Sequence, residues 1–302
     1  MWETIGLGIG IDALKAAARP AIRRARKVLQ GPRRSKHWRS RLNKEFARSV
    51  LVYREATEEP HIVVDGDYQL TDSQRTKAKE HKRELEERNR PNDSHAIVQG
   101  EPSWRCDPVV FHVGGLDFAS VQALRDDGVK PEILSVSAVI LCSETRRMIV
   151  HKRSMESATF KGCLHTFGGA YMPPGYHVKD DGTSLVTTVL REVLEESRIS
   201  LHIDSSCPMI LAKELATGFV QLVFLGIDIS GGDARRIEHT WEGNVEQIAF
   251  SELIGSLRTD NWVPSGKVHV LAWLALGAPG LMGRARFGEY SPRKAFDSLV
   301  PR

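Results

Sequence analysis

The stretch Ser184–Ser197 constrains this chain more than any other. Placed on a helix at roughly 100° per residue, Val186, Val189, Leu190, Val193 and Leu194 fall on one face, and Glu192, Glu195 and Glu196 fall on the opposite side. The apolar face needs a core to pack against. The three carboxylates share an arc of about 100° and repel one another by a few tenths of a kcal/mol or more per pair. A hard divalent cation relieves that crowding, because Mg2+ favours oxygen ligands and keeps waters and substrate phosphates in its shell. The elements before the helix suit such a site. A β-prone run ends in Gly168-Gly169, a long loop follows, and the helix begins. Glycine lets a metal or phosphate approach the backbone closely, so the Gly169 carbonyl is a candidate ligand and Gly168 a candidate substrate contact.

The run Arg191-Glu192-Val193-Leu194-Glu195-Glu196, followed by Ile199, resembles the Nudix hydrolase box G-x5-E-x7-R-E-U-x-E-E-x-G-U, where U is aliphatic. Gly168-Gly169 resembles the glycine pair at its start, and Gly182-Thr183-Ser184 stands where the family commonly has Gly-Glu-Ser. The resemblance covers roughly residues 131–285. There are three departures. The loop between Gly169 and the helix is longer than in the family. Thr183 replaces the first glutamate of the box, with Asp180 and Asp181 nearby as alternative partners for Arg191. Arg198 replaces the late glycine, which changes the helix C-cap. Stripped of chemistry, the same pattern describes an amphipathic helix with an Arg191–Glu195 surface pair.

The resemblance implies an α/β (α+β) fold, a Nudix-like α/β/α sandwich with a mixed sheet, here preceded by an α+β N-terminal extension. It implies Mg2+ as cofactor, with Mn2+ as a substitute. Glu195 and Glu196 are then the main metal ligands, Glu192 a further ligand or the base that activates water, and Arg191 the residue that orients the carboxylates. Family members often add an acid from a later loop; Glu242 is the better candidate and Glu246 the second. Lys152 and Arg153, at the end of a β-prone run, are candidate phosphate contacts. The implied reaction is attack of a metal-activated water on a diphosphate linkage. The implied partner is a nucleoside diphosphate joined to another group, for which the layout of residues 51–130 suggests a nucleotide sugar. The alternative is a Nudix-fold nucleotide-binding or sensing module with little or no turnover, a reading favoured by Thr183 and Arg198.

The rest of the chain divides by composition and pattern. Residues 1–50 hold 13 Lys/Arg against 3 Asp/Glu, whereas the whole chain has a net charge of only +4. The body is therefore mildly acidic, and any affinity for an anionic membrane or nucleic acid belongs to this arm. A kinked helix is expected over residues 12–30, with Pro20 at the kink. Residues 51–130 are expected as an N-terminal subdomain: β-prone runs at 50–53 and 61–64, a highly charged helix from Thr71 to Arg90, strands at 96–98 and 109–113, and a short helix at 118–124. Beyond it, β-prone runs fall at 133–141, 148–153, 164–169, 209–211, 220–227 and 248–250, a helix opens at 251–254, and an apolar helix spans 268–276. Residues 286–302 are expected as a tail. The loop Tyr171–Gly182 is a candidate lid or homodimer contact. Four scattered cysteines argue against a zinc or disulfide framework and point to a reducing, cytoplasmic setting. No segment is apolar and long enough to span a bilayer.

Overall fold

A β-prone run whose only hydroxyl residues are Ser135 and Ser137 suits a strand covered on both faces, and residues 133–142 are buried along their whole length. They form the central strand of a computed structural model that describes residues 35–104, 106–157, 159–175, 182, 184–240, 243–259, 261–281 and 286–301. In chain order the elements are α1 (Ser35–Glu45), β1 (Val50–Ala56), β2 (His61–Asp67), α2 (Asp72–Glu87), β3 (Ser94–Val98), β4 (Val110–Asp117), α3 (Phe118–Asp126), β5 (Ile133–Cys142), β6 (Arg147–Arg153), β7 (Leu164–His165), α4 (Leu185–Ser197), β8 (Met209–Glu214), β9 (Phe219–Asp228), α5 (Gly231–Arg235), β10 (Gly243–Ala249), α6 (Leu253–Arg258), α7 (Pro264–Ala275) and α8 (Pro292–Leu299).

The strands form one mixed sheet in the order β1-β8-β9-β5-β3-β4-β2, with β6 branching from β5 to pair with β7 and β10. β5 and β9 run parallel, from Ile133 opposite Phe219 to Leu141 opposite Asp228. Period-two alternation sends neighbouring side chains to opposite faces. Leu134, Val136 and Ala138 of β5 pack with Leu185, Val189 and Val193 of α4 on one face. Val139 and Leu141 pack with Val268, Leu271 and Trp273 of α7 on the other. The result is the expected layering of helix, mixed sheet and helix.

The strands within residues 51–130 share this sheet. β1 pairs with β8 at one end, and β3 and β4 continue from β5 at the other. α3 covers that second end, burying Val121 and Leu124 against Ile97, Leu116 and Ile133. α2 starts with a capping box, in which Thr71 Oγ1 accepts from Gln74 N and the Gln74 side chain accepts from Thr71 N.

Parts of the chain expected as arm and tail also belong to the core. The helix expected at 12–30 lies outside the described residues. Within 35–50, however, α1 buries Trp38 and Leu42 on the α7 face, next to Phe296 of α8. Arg41 joins the two ends by donating from Nε to Pro301 O at 3.0 Å and lying 4.8 Å above the Phe296 ring. Two strands differ from expectation. β10 is longer than the run at 248–250 because it pairs with all of β6. The strand expected over 164–169 keeps ladder pairing only at Leu164–His165, since Gly168 adopts φ +143°. Cys106 is exposed and Cys142 is buried. Among the described residues, no helix is long and apolar enough to cross a membrane.

Candidate active site

α4 is fixed at both ends. At its start, Ser184 Oγ accepts from Thr187 N at 3.4 Å. Glu59, from the β1–β2 loop, adds a carboxylate that accepts from Ser184 Oγ at 3.1 Å, from Val186 N at 3.2 Å and from Leu185 N. A negative charge on exposed N–H groups at a helix start is favoured by both hydrogen bonding and the helix dipole. No sequence signal marks Glu59, because this contact joins residues far apart in the chain. At the other end, Arg198 takes the left-handed conformation, φ 61° and ψ 19°, and donates its N–H to Leu194 O at 3.0 Å. That conformation explains why a glycine suits this position.

The apolar stripe is shifted from the helical-wheel expectation. Leu185, Val189 and Val193 are buried, but so are Thr188, Glu196 and Ser197. Leu194 points outward and is 43% exposed. The three box carboxylates consequently separate into two groups. Arg191 Nη1 lies 2.8 Å from Glu192 Oε1 and 3.1 Å from Glu195 Oε2, and Arg191 Nη2 donates to Ala170 O at 3.4 Å. One guanidinium thus ties both acids to the backbone just after the glycine pair. Glu196 instead turns into the protein. Its Oε1 lies 3.1 Å from His151 Nδ1, and its Oε2 accepts from Gly168 N at 3.3 Å.

Gly168 is required by the backbone, and Gly169 leaves room for a side chain of the site. A Cβ on Gly168 would collide with Val136 O, and one on Gly169 would fall on the Glu192 carboxyl group. Gly169 O already accepts from Val136 N at 3.0 Å, which leaves a second lone pair. Of the proposed phosphate contacts, Lys152 pairs with Glu246 at 2.9 Å. Arg153 donates to Thr159 O at 3.1 Å and lines a cleft of about 500 Å³. Glu242, Thr183, Asp180 and Asp181 lie outside the described residues.

His151 and Glu196 also line this cleft, and Arg88, Arg90 and His95 from the N-terminal part line it with them. Burial, with a smaller contribution from nearby Arg125, pushes the pKa of His95 down to about 4, so its ring is neutral near pH 7. Sequence reasoning missed His151, His95, Arg88 and Arg90. Only the pairing of β3 and β6 with the same strand, β5, brings these distant residues to one cleft.

Among the described residues, no three His, Cys, Asp or Glu side chains form a group that could hold a metal ion. Mg2+, however, is commonly held by one or two carboxylates together with waters and substrate phosphates. The candidate donors here are all oxygens: Glu192 and Glu195, joined through Arg191, and the carbonyl of Gly169, beside which the Glu192 carboxyl group sits. That set fits a cation brought in with phosphate.

No family model and no curated protein matches this chain. Solved structures similar to it include a MutT protein from Methanosarcina mazei Go1, at 22% identity over 40% of this chain and 80% of that one, TM-score 0.31. A NUDIX hydrolase from Nitrosomonas europaea is 16% identical over 47% of this chain and 88% of that one, TM-score 0.34. A bifunctional NMN adenylyltransferase/ADP ribose pyrophosphatase from Francisella tularensis is 11% identical over 53% of this chain and 50% of that one, TM-score 0.38. Two of these three are a MutT protein and a NUDIX hydrolase by description; this chain itself has a mixed sheet held between the box helix α4 and the apolar helix α7.

Proposed function

We propose that this protein is a Nudix-type hydrolase that cleaves the diphosphate linkage of a nucleoside diphosphate derivative with Mg2+. The observation that carries this reading is the placement of Glu192 and Glu195, bridged by Arg191, with the Glu192 carboxyl group against Gly169. Glu192, Glu195 and the Gly169 carbonyl would hold the metal. When bound, Mg2+ neutralises phosphoryl charge and lowers the pKa of a water. Arg191 keeps the two carboxylates in register. Arg153 and the cleft arginines Arg88 and Arg90 supply positive charge for phosphate oxygens. His151 and Gly168 hold Glu196 beside the same cleft, where it serves as a positioning group or a proton acceptor. A nucleotide sugar is one member of this substrate class.

The engagement of Glu196 also favours a second reading, a binding module with little turnover, because a carboxylate with both oxygens committed is a poorer ligand. Product release from a panel of nucleoside diphosphate derivatives separates the two. The wild-type chain should cleave at least one compound only with Mg2+ or Mn2+, and Glu192→Gln/Glu195→Gln should abolish cleavage. Binding without cleavage by the wild type would establish the module instead.

A further inference from the structure

Beside the outer cleft lies an inner chamber of about 200 Å³, which shares His95, Phe118 and Arg153 with it. The glycine pair, Gly168 and Gly169, forms part of its wall. So does Arg125, which α3 brings from the N-terminal part of the chain. A charge taken out of water normally has an opposite charge beside it. Arg125 is half-buried, yet among the described residues no carboxylate forms an ion pair with it. Burial lowers its pKa, and no acid offsets that shift. Its Nη2 donates to Thr217 O at 3.3 Å, and Thr217 lines the same chamber. A guanidinium is a fork of several N–H donors, so most of this one is left for another acceptor.

The other groups around the chamber do not supply that acceptor. Arg153, a second cation, donates to Thr159 O at 3.1 Å and also has no acid partner among the described residues. Among the described residues, Glu214 is the one acid in the lining. Its two oxygens already accept from hydroxyls, from Ser265 Oγ at 2.8 Å and from Thr217 Oγ1 at 2.5 Å. Burial pushes the pKa values of His95 and His165 down to about 4 and about 3, so both rings are neutral near pH 7. His95 Nδ1 and Gln221 Oε1 lack partners, but both atoms are sealed from solvent and offer nothing to a ligand. Two cations thus line the chamber with one committed acid. A neutral sugar would leave them uncompensated, whereas phosphate oxygens accept from both guanidinium forks.

We infer that the inner chamber takes a free terminal phosphate of the substrate, held by Arg125 and Arg153 beside the glycine pair. The substrate class then narrows to nucleotides that end in phosphate instead of a sugar, and α3 supplies a binding residue of the active site. This inference rests on the hydrolase reading above and adds which end of the substrate enters the chamber.

The test is calorimetric binding of inorganic pyrophosphate to the full chain without metal, a probe with neither base nor sugar. Arg125→Gln should weaken binding by about tenfold to a hundredfold, the loss of a hydrogen bond between charged groups. Arg125→Lys keeps the charge without the fork, so its affinity should fall between the two. It decides the matter if the glutamine variant does not fold. No binding by the wild type would overturn the inference. So would binding that neither variant weakens, as expected if pyrophosphate occupies only the outer cleft. With Mg2+, a nucleoside triphosphate should be cleaved with a higher kcat/KM than a nucleotide sugar of the same base, and Arg125→Gln should remove that preference. A wild-type preference for the nucleotide sugar would also overturn the inference. Metal-dependent cleavage without Arg125-dependent pyrophosphate binding would sink this inference alone. Arg125-dependent binding, without cleavage of any compound, would sink only the hydrolase reading.

Discussion

The start of α4 leans on a residue from a distant loop, so Glu59→Ala should weaken the box helix without touching its acids. Glu59 accepts from Ser184 Oγ, Leu185 N and Val186 N. Losing a capping acceptor costs about 0.5–2 kcal/mol, and losing a negative charge at a helix N-terminus costs a further ~0.3–1 kcal/mol. Ser184 Oγ still caps Thr187 N, but at 3.4 Å. The expected destabilisation for Glu59→Ala is therefore about 1–3 kcal/mol. Glu59→Gln keeps an acceptor and loses the charge, so it should cost about 0.3–1 kcal/mol. Urea unfolding of both variants gives the order wild type, Gln, Ala. Native-state hydrogen exchange should quicken at Leu185 and Val186 before it does in β5, because helix ends open more easily than core strands. Equal stability of the two variants, or unchanged exchange at Leu185 and Val186, would refute the idea that this carboxylate anchors α4.

Three further outcomes follow from the same coordinates. Gly169→Ala should leave the melting temperature nearly unchanged, since the displaced group is the end of a flexible side chain, yet cut hydrolysis by about tenfold or more by moving Glu192 off Arg191; full activity in this variant would count against Glu192. Arg198→Gly should stabilise the protein by about 0.5–1 kcal/mol in a urea titration, because relief of the left-handed strain exceeds the added entropy of the unfolded chain. The buried imidazoles set an acid limit: His165 and His95 have folded-state pKa values near 3 and 4, against 6.5 for the free side chain. Below pH 6.5 the unfolded chain binds protons that the folded chain refuses, so stability should fall between pH 6.5 and 4, by up to ~1.4 kcal/mol per pH unit for each histidine. Urea midpoints across that range should show a shallower decline for His165→Gln, and an unchanged slope would exclude His165 as a contributor.

Much of the local structure was legible because its causes are local. The β-prone run of β5, the helix start at Thr71 and the Gly168-Gly169 break each depend on residues close in sequence. The box was legible for the same reason: Arg191 and Glu195 are one helical turn apart, so their contact follows from helix geometry. The apolar face of α4 was only partly right. The wheel treated hydrophobicity as the sole guide to burial, whereas the space beside His151 and Gly168 N–H draws Glu196 inward and leaves Leu194 outside.

By itself, the sequence determined most of the strands and the helices α2, α4 and α7, and it set Arg191, Glu192 and Glu195 on one surface of α4. Only the tertiary structure decided that β1 to β4 join the same sheet, that α1 and α8 close over the α7 face, and that Glu59 holds the start of α4. It also decided the surroundings of the site, where Arg88, His95, His151 and Gln221 gather around two neighbouring cavities. Periodicity and capping act over a few residues and can be read along the chain. Sheet order and long-range side-chain contacts depend on which distant surfaces bury each other, and no short stretch of sequence carries that information.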